Sequence, residues 1–269
     1  MHFPAADQTE IAYADETPET PVNAPPVLLI HGFASTRIVN WVNTGWVRAL
    51  RAAGRRVVSF DNRGHGLSGK PHAPAAYSSD IMAGDALALL DHLHIRQADV
   101  IGYSMGARIA AHLALRAPER VRRLVLGGLG IHLVEGVGLP PSIAEALEAP
   151  ELADLTDPMQ RMFRAFADAN HADRVALAAC IRGSRQVLSV ADVGRITQPV
   201  LVAIGTADDV SGAARPLAAL MPNARVLDIE GRDHNRAVGD AGFKTGVLRF
   251  LDAPDMSLQP SPEGSFRAV

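Results

Sequence analysis

Gly102-Tyr103-Ser104-Met105-Gly106 places a serine between two glycines, and that spacing suits nucleophilic chemistry. A serine hydroxyl is a weak nucleophile until a base removes its proton. The base is most often a histidine, and a carboxylate holds it in the working orientation. Ten histidines are present, so context must choose among them. His234 follows Gly231-Arg232-Asp233, directly after an apolar run ending at Ile229, and opens the last helical pattern. His92, His94 and His112 fall within helical patterns and read as surface or packing residues, and His31 before Gly32 reads as structural. The carboxylate is expected from Gly205-Thr206-Ala207-Asp208. Asp209 is its competitor, and the spacing from Gly205 favours Asp208. Asp233 adjoins His234, but neighbouring side chains rarely face each other. The acyl-transfer intermediate made by such a serine carries an oxyanion, which needs N–H donors aimed at it. The backbone N–H groups of Met105 and Phe33 are the candidates.

These residues work only if particular elements present them at one place. Ala98-Asp99-Val100-Ile101 reads as a strand leading into the serine, and Ala107 to Ala117 as a helix leaving it. A sharp strand-to-helix turn strains its middle residue, so only small flanking residues leave it room. The helix start behind it offers free N–H groups and a positive dipole end. Val27–Ile30 is an apolar run typical of a strand buried on both faces. Further strands are expected at 57–60, 124–126, 200–204 and 225–229, with short extended segments near 1–3 and 10–13. Helices are expected over Trp46–Ala53, closed by Gly54, from a Ser78 or Ser79 cap through His94, and over about Asn235–Leu251. Asp157-Pro158 with Gln160 reads as another helix start. Alternating strands and helices imply a mostly parallel α/β sheet with helices on both faces. The expected organisation is a core of residues 1–128 and 198–253, a helical cap over 129–197 with no convincing strand, and a tail over 254–269. Helical insertions of this kind can sit over the strand ends where ligands bind.

Bulk properties narrow the field. The 269 residues carry a net charge of −3, with no basic stripe, which argues against nucleic acid as a partner. One cysteine, Cys180, rules out a disulfide framework within the chain. It lies in an alanine-rich helical run and reads as packing. No apolar run approaches the ~18 residues of a membrane span, and the start of the sequence lacks a signal-peptide pattern; a cytoplasmic protein with no membrane partner is expected. The Arg55-Arg56 and Arg122-Arg123 pairs read as solvated residues at strand entries.

Taken together, the motifs resemble the α/β-hydrolase family over about residues 1–253. The resemblance rests on His31-Gly32-Phe33, on Asp61-Asn62-Arg63-Gly64-His65-Gly66-Leu67-Ser68, on Gly102–Gly106, on Gly205-x-x-Asp208 and on Gly231-x-x-His234. It implies a largely parallel eight-stranded sheet, acyl-enzyme chemistry, and no cofactor or metal. It also implies a structural role for the 61–68 stretch, whose Asp and Arg pin a loop beside the active site. Serine at 104 disfavours the dehalogenase and epoxide-hydrolase branches, which carry aspartate there. The expected activity is hydrolysis of a small to medium carboxylic ester by Ser104, Asp208 and His234. A C–C bond hydrolase or lactonase is the alternative, and a non-catalytic ligand receptor a more distant one. Acyl and alcohol preference and oligomeric state are not specified by the sequence.

Two further patterns invite a reading. Gly64 to Lys70 nearly matches a phosphate-binding loop, but Pro71 stands where Ser or Thr should be and Pro74 blocks a helix start nearby. Met159, Met162, Phe163 and Phe166 recur at helical spacing. They are candidates for the substrate pocket, or equally for the buried face of an ordinary helix.

Overall fold

The computed structural model describes residues 1–136 and 139–254. Nearly all of the expected tail therefore lies outside the described residues. Eight strands form one sheet: β1 (His2–Pro4), β2 (Glu10–Glu16), β3 (Val27–Ile30), β4 (Val57–Phe60), β5 (Ala98–Tyr103), β6 (Val121–Gly127), β7 (Val200–Gly205) and β8 (Ala224–Ile229). Their spatial order is β1-β2-β4-β3-β5-β6-β7-β8. The first two pairings are antiparallel and the rest parallel.

Strand periodicity divides the core between the two faces of the sheet. Leu28, Ile30, Val58, Phe60, Val100 and Leu124 pack on the face covered by α2 (Ser79–His92) and α3 (Met105–Arg116), with α1 (Trp46–Ala52) on the other side. Val27, Leu29, Val57, Ile101, Val125 and Leu201 alternate with them and meet Trp46 and Leu50 of α1. Each such side chain, fully buried, contributes about 1.5–3 kcal/mol. Burial on both faces is why these strands read as continuous apolar runs rather than alternating ones.

Between β6 and β7 the chain builds helices: α4 (His132–Glu135), α5 (Ser142–Glu148), α6 (Pro158–Ala169), α7 (Arg174–Gly183) and α8 (Val190–Gly194). Among the described residues this segment contains no strand. Asp157 caps α6 by accepting from the Gln160 N–H. After β7 come α9 (Ala214–Ala218), and, after β8, α10 (His234–Ala237) and α11 (Ala241–Asp252).

Two local expectations are corrected. The last helix is two helices, because the Asp240 carboxylate accepts from the N–H groups of Gly242 and Phe243 and caps a new start. The arginines at the strand entries are also less solvated than expected. Arg55 and Arg123 are buried, and Arg55 and Arg122 both donate to the buried Asp99 carboxylate at the start of β5.

Strand register sets the functional edge. Ile30 pairs with Gly102, Tyr103 with Gly127, Gly127 with Ala203, and Gly205 with Ile229. The C-terminal ends of β3, β5, β7 and β8 are thus level. The connections on either side of β3 and β5 leave in opposite directions, which opens a crevice at that switch point.

Candidate functional site

Ser104 stands at the turn from β5 to α3 with φ 55° and ψ −116°. A non-glycine residue there carries on the order of 1–3 kcal/mol of strain. Its neighbours must be small. A Cβ on Gly102 would overlap the Gly106 carbonyl, and one on Gly106 would overlap the Ile30 carbonyl. The turn lifts the Ser104 hydroxyl off the sheet edge, where His234 Nε2 lies 3.1 Å from Oγ. His234 Nδ1 in turn lies 2.9 Å from Asp208 Oδ2. Of the two adjacent aspartates, Asp208 reaches the imidazole and Asp209 is exposed. Asp233 caps α10 through the Arg236 N–H instead.

The Asp208 side chain is fully buried. Burial pushes its carboxyl up. The hydrogen bond and charge of His234, with donors from Ser211 and the Val210 N–H, outweigh that and hold it below the ordinary carboxylate range. An ionised Asp208 accepts Nδ1–H and leaves Nε2 free to accept from Ser104, the tautomer a general base needs.

Opposite the imidazole, the His31-Gly32-Phe33 loop passes against the serine turn. A Cβ on Gly32 would stand 3.4 Å from Ser104 Cβ. Among the described residues neither the Phe33 nor the Met105 N–H has a protein acceptor. Two open amides beside a serine hydroxyl can hold an oxyanion.

The loop is fixed from below. Asn62 N–H donates to His31 Nε2 (2.9 Å), so Nδ1 carries the proton and donates to the Gly32 carbonyl (2.7 Å). Burial pushes the His31 imidazole down to about 4. It also pushes His65 down to about 3, with the neighbouring His31 adding to the effect. Asp61 accepts from the N–H groups of Arg37 and Leu67, and Arg63 grips Asp85 with two bonds of 2.7 Å. The 61–68 stretch is thus an anchor beside the site. The Lys70 ammonium fills its own loop by donating to the carbonyls of Gly66 and Ser68. A phosphate-binding loop needs N–H groups and a free lysine facing the ligand, whereas here the N–H groups of Gly64, His65, Leu67, Ser68 and Gly69 are bonded within the protein and the lysine is occupied.

A hollow of about 100 Å³ opens above Ser104, with Phe33, Met105, Leu129, Ile181, Val187 and Ser211 on its wall. The methionine and phenylalanine stripe is placed differently from either expectation. Met159, Met162 and Phe166 are exposed, and none of the four residues lines the hollow. Phe163 packs on Phe33 at 5.9 Å, and α6 buries Arg164 and Ala167 instead. The cause is Arg164, whose guanidinium turns inward to the carbonyls of Ala146 and Ala149 and to Asp168, directing the opposite face outward.

Sequence reasoning missed three contributors. Ser211 Oγ donates to Asp208 Oδ2 (2.6 Å) and lies 3.1 Å from His234 Nδ1. Its available signal was the Asp208-x-x-Ser211 spacing, which favours a side-chain-to-backbone turn. The Tyr103 hydroxyl donates to the His234 carbonyl and braces its loop. Arg108, one helical turn after Ser104, lies on the wall of the hollow. Among the described residues no group of three or more His, Cys, Asp or Glu can hold a metal ion, and no helix is long and apolar enough to cross a membrane.

A sequence profile of the alpha/beta hydrolase fold matches residues 25–179, more than half of the chain. The chain belongs to the α/β-hydrolase family. It is similar to 2-hydroxymuconate semialdehyde hydrolase of Pseudomonas sp. (strain CF600), 42% identical over 127 residues. That match spans less than half of either protein, 45% of this chain and 44% of the relative. A longer match joins it to rhodomycin D methylesterase DauP of Streptomyces sp. (strain C5), 31% identical over 258 residues, covering 80% of this chain and 86% of the esterase. Among solved structures, a hydrolase from Pseudomonas aeruginosa PA01 superposes with a TM-score of 0.76 at 28% identity, covering 94% of this chain and 98% of the other. The eight-stranded, mostly parallel sheet expected of an α/β hydrolase is the sheet observed.

Proposed function

We propose that this α/β hydrolase is a serine enzyme that cleaves a small to medium carboxylic ester through an acyl-enzyme. One observation carries the reading: Ser104 Oγ, His234 and Asp208 form a continuous chain of contacts at 3.1 and 2.9 Å, although Ser104 and His234 are 130 residues apart. His234 takes the Ser104 proton as Oγ attacks the ester carbonyl. The Phe33 and Met105 amides hold the oxyanion. His234 then gives its proton to the leaving alcohol, and water repeats the sequence to release the acid. The helical segment 129–197 acts as a cap, since Leu129, Ile181 and Val187 wall the hollow above the serine. The hollow's modest size suits a small acyl portion.

The similarity to 2-hydroxymuconate semialdehyde hydrolase favours a second reading, cleavage of a C–C bond by the same groups. A panel of methyl and p-nitrophenyl esters against a vinylogous diketone and a lactone separates the two by relative kcat/KM. Fluorophosphonate labelling tests the shared premise. A covalent adduct on Ser104 is expected, and an unlabelled protein that binds small acyl compounds would make it a receptor instead.

A further inference from the structure

Arg108 and Arg185 both lie on the wall of the hollow above Ser104, and among the described residues no aspartate or glutamate shares that wall. Several buried arginines elsewhere in the chain are paired with a carboxylate: Arg63 with Asp85, Arg55 with Asp99 and Arg164 with Asp168. Among the described residues, Arg108 and Arg185 form no ion pair. Arg108 donates to three main-chain carbonyls, those of His132 (3.0 Å), Leu133 (3.3 Å) and Gln186 (2.9 Å). Arg185 donates to the Leu139 carbonyl (3.1 Å). Carbonyls aim a guanidinium without neutralising it. Burial pushes the Arg108 group down, and no acidic neighbour opposes the shift. A guanidinium nonetheless stays charged, so the hollow holds positive charge without a counter-ion. Arg108 is half-buried, and such a charge costs free energy until an anion pairs with it, while Arg185 stands exposed at the rim.

Resting on the hydrolase reading above, we propose that the substrate carries a carboxylate, bound by Arg108 with Arg185 at the rim, a few bonds from the carbonyl that Ser104 attacks. Arg108 lies in the first turn of α3, directly after the Ser104 turn, and both residues line the same hollow. Monoesters of short dicarboxylic acids carry an ester carbonyl and a carboxylate within a body small enough for a hollow of about 100 Å³. Arg108 approaches from α3 and Arg185 from the segment after α7, so both layers of the protein contribute to the anion site.

The test compares monomethyl glutarate with dimethyl glutarate, which differ in one charge. Calorimetric titration of the Ser104→Ala protein is expected to show the monoester binding at least about tenfold more tightly, a difference that fades with salt. This arm needs no turnover, so it reads the arginines even if Ser104 is not the nucleophile. Fluorophosphonate labelling reports that premise separately. In the active enzyme, Arg185→Gln is expected to lower the monoester-to-diester ratio of kcat/KM about fivefold or more, and Arg108→Lys to lower it less than Arg108→Gln, because lysine keeps the charge and loses the fork. Should Arg108→Gln fail to fold, Arg185→Gln decides. Equal binding of the two esters, or a ratio untouched by the arginine substitutions, overturns the proposal.

Discussion

The two ends of β5 carry similar polar chemistry and treat it in opposite ways. At the start, Asp99 is fully buried and its two oxygens accept from Arg122 (2.7 and 2.6 Å), with Arg55 at 3.1 Å. At the finish, Ser104 sits in a strained turn between the open amides of Phe33 and Met105, with Arg108 unpaired beside it. One end is closed, and its charges serve the fold. The other keeps two open amides and a guanidinium with no counter-ion, at a cost in stability that the fold must supply from elsewhere. A paired buried group and an unpaired one are thus readable as different assignments within one strand.

Four measurements test that contrast. Ser104→Ala is expected to cut kcat by about 10⁴-fold or more while shifting Tm little. Substantial retained turnover would remove Ser104 from the chemistry. Asp99→Asn at the closed end should reverse the pattern. Leaving Arg55 and Arg122 without their carboxylate costs on the order of 3–5 kcal/mol of stability by urea unfolding, with kcat/KM per folded molecule preserved.

Mild acid should weaken the functional end next. His31 and His65 are held neutral, at about 4 and about 3, whereas an unfolded histidine titrates near 6.5. Between pH 6.5 and 4 the unfolded chain therefore binds more protons than the native one, so this stability is present above 6.5 and lost as the pH falls. The loss from pH 7 to 5 is on the order of 2–4 kcal/mol, and His65→Asn should reduce the slope in a Tm-against-pH series. A flat series would mean these imidazoles do not resist protonation. The smallest effect is Ser104→Gly, which relieves the positive φ and should raise stability by about 1 kcal/mol. No gain would mean that the turn is unstrained.

Legibility followed the range of the interactions. The serine turn was readable because its constraint is local: a strained residue between a strand and a helix excludes bulk at positions 102 and 106. Asp208 was favoured by spacing from Gly205, yet what separates it from Asp209 is the direction of a side chain after a strand end, and the contact with His234 shows it. Ser211 had a local signal in its spacing from Asp208, but its approach to His234 spans 23 residues, and Arg108 had none, because the 132, 133 and 186 carbonyls are 24 to 78 residues distant. The methionine and phenylalanine stripe shows the limit of periodicity. A period of 3.6 reveals that a helix has two faces, and the buried Arg164 decided which of them turned inward.

The strands, the strained serine turn and the histidine and aspartate that follow later strand ends are all legible locally, since propensity, sterics and apolar runs act over a few residues. Tertiary structure decided that β3, β5, β7 and β8 end level, so that Ser104, Asp208, His234 and two open amides share one edge. It also decided which arginines were neutralised and which were left facing the hollow. Register and charge pairing depend on neighbours that the chain brings together only after it has closed its core.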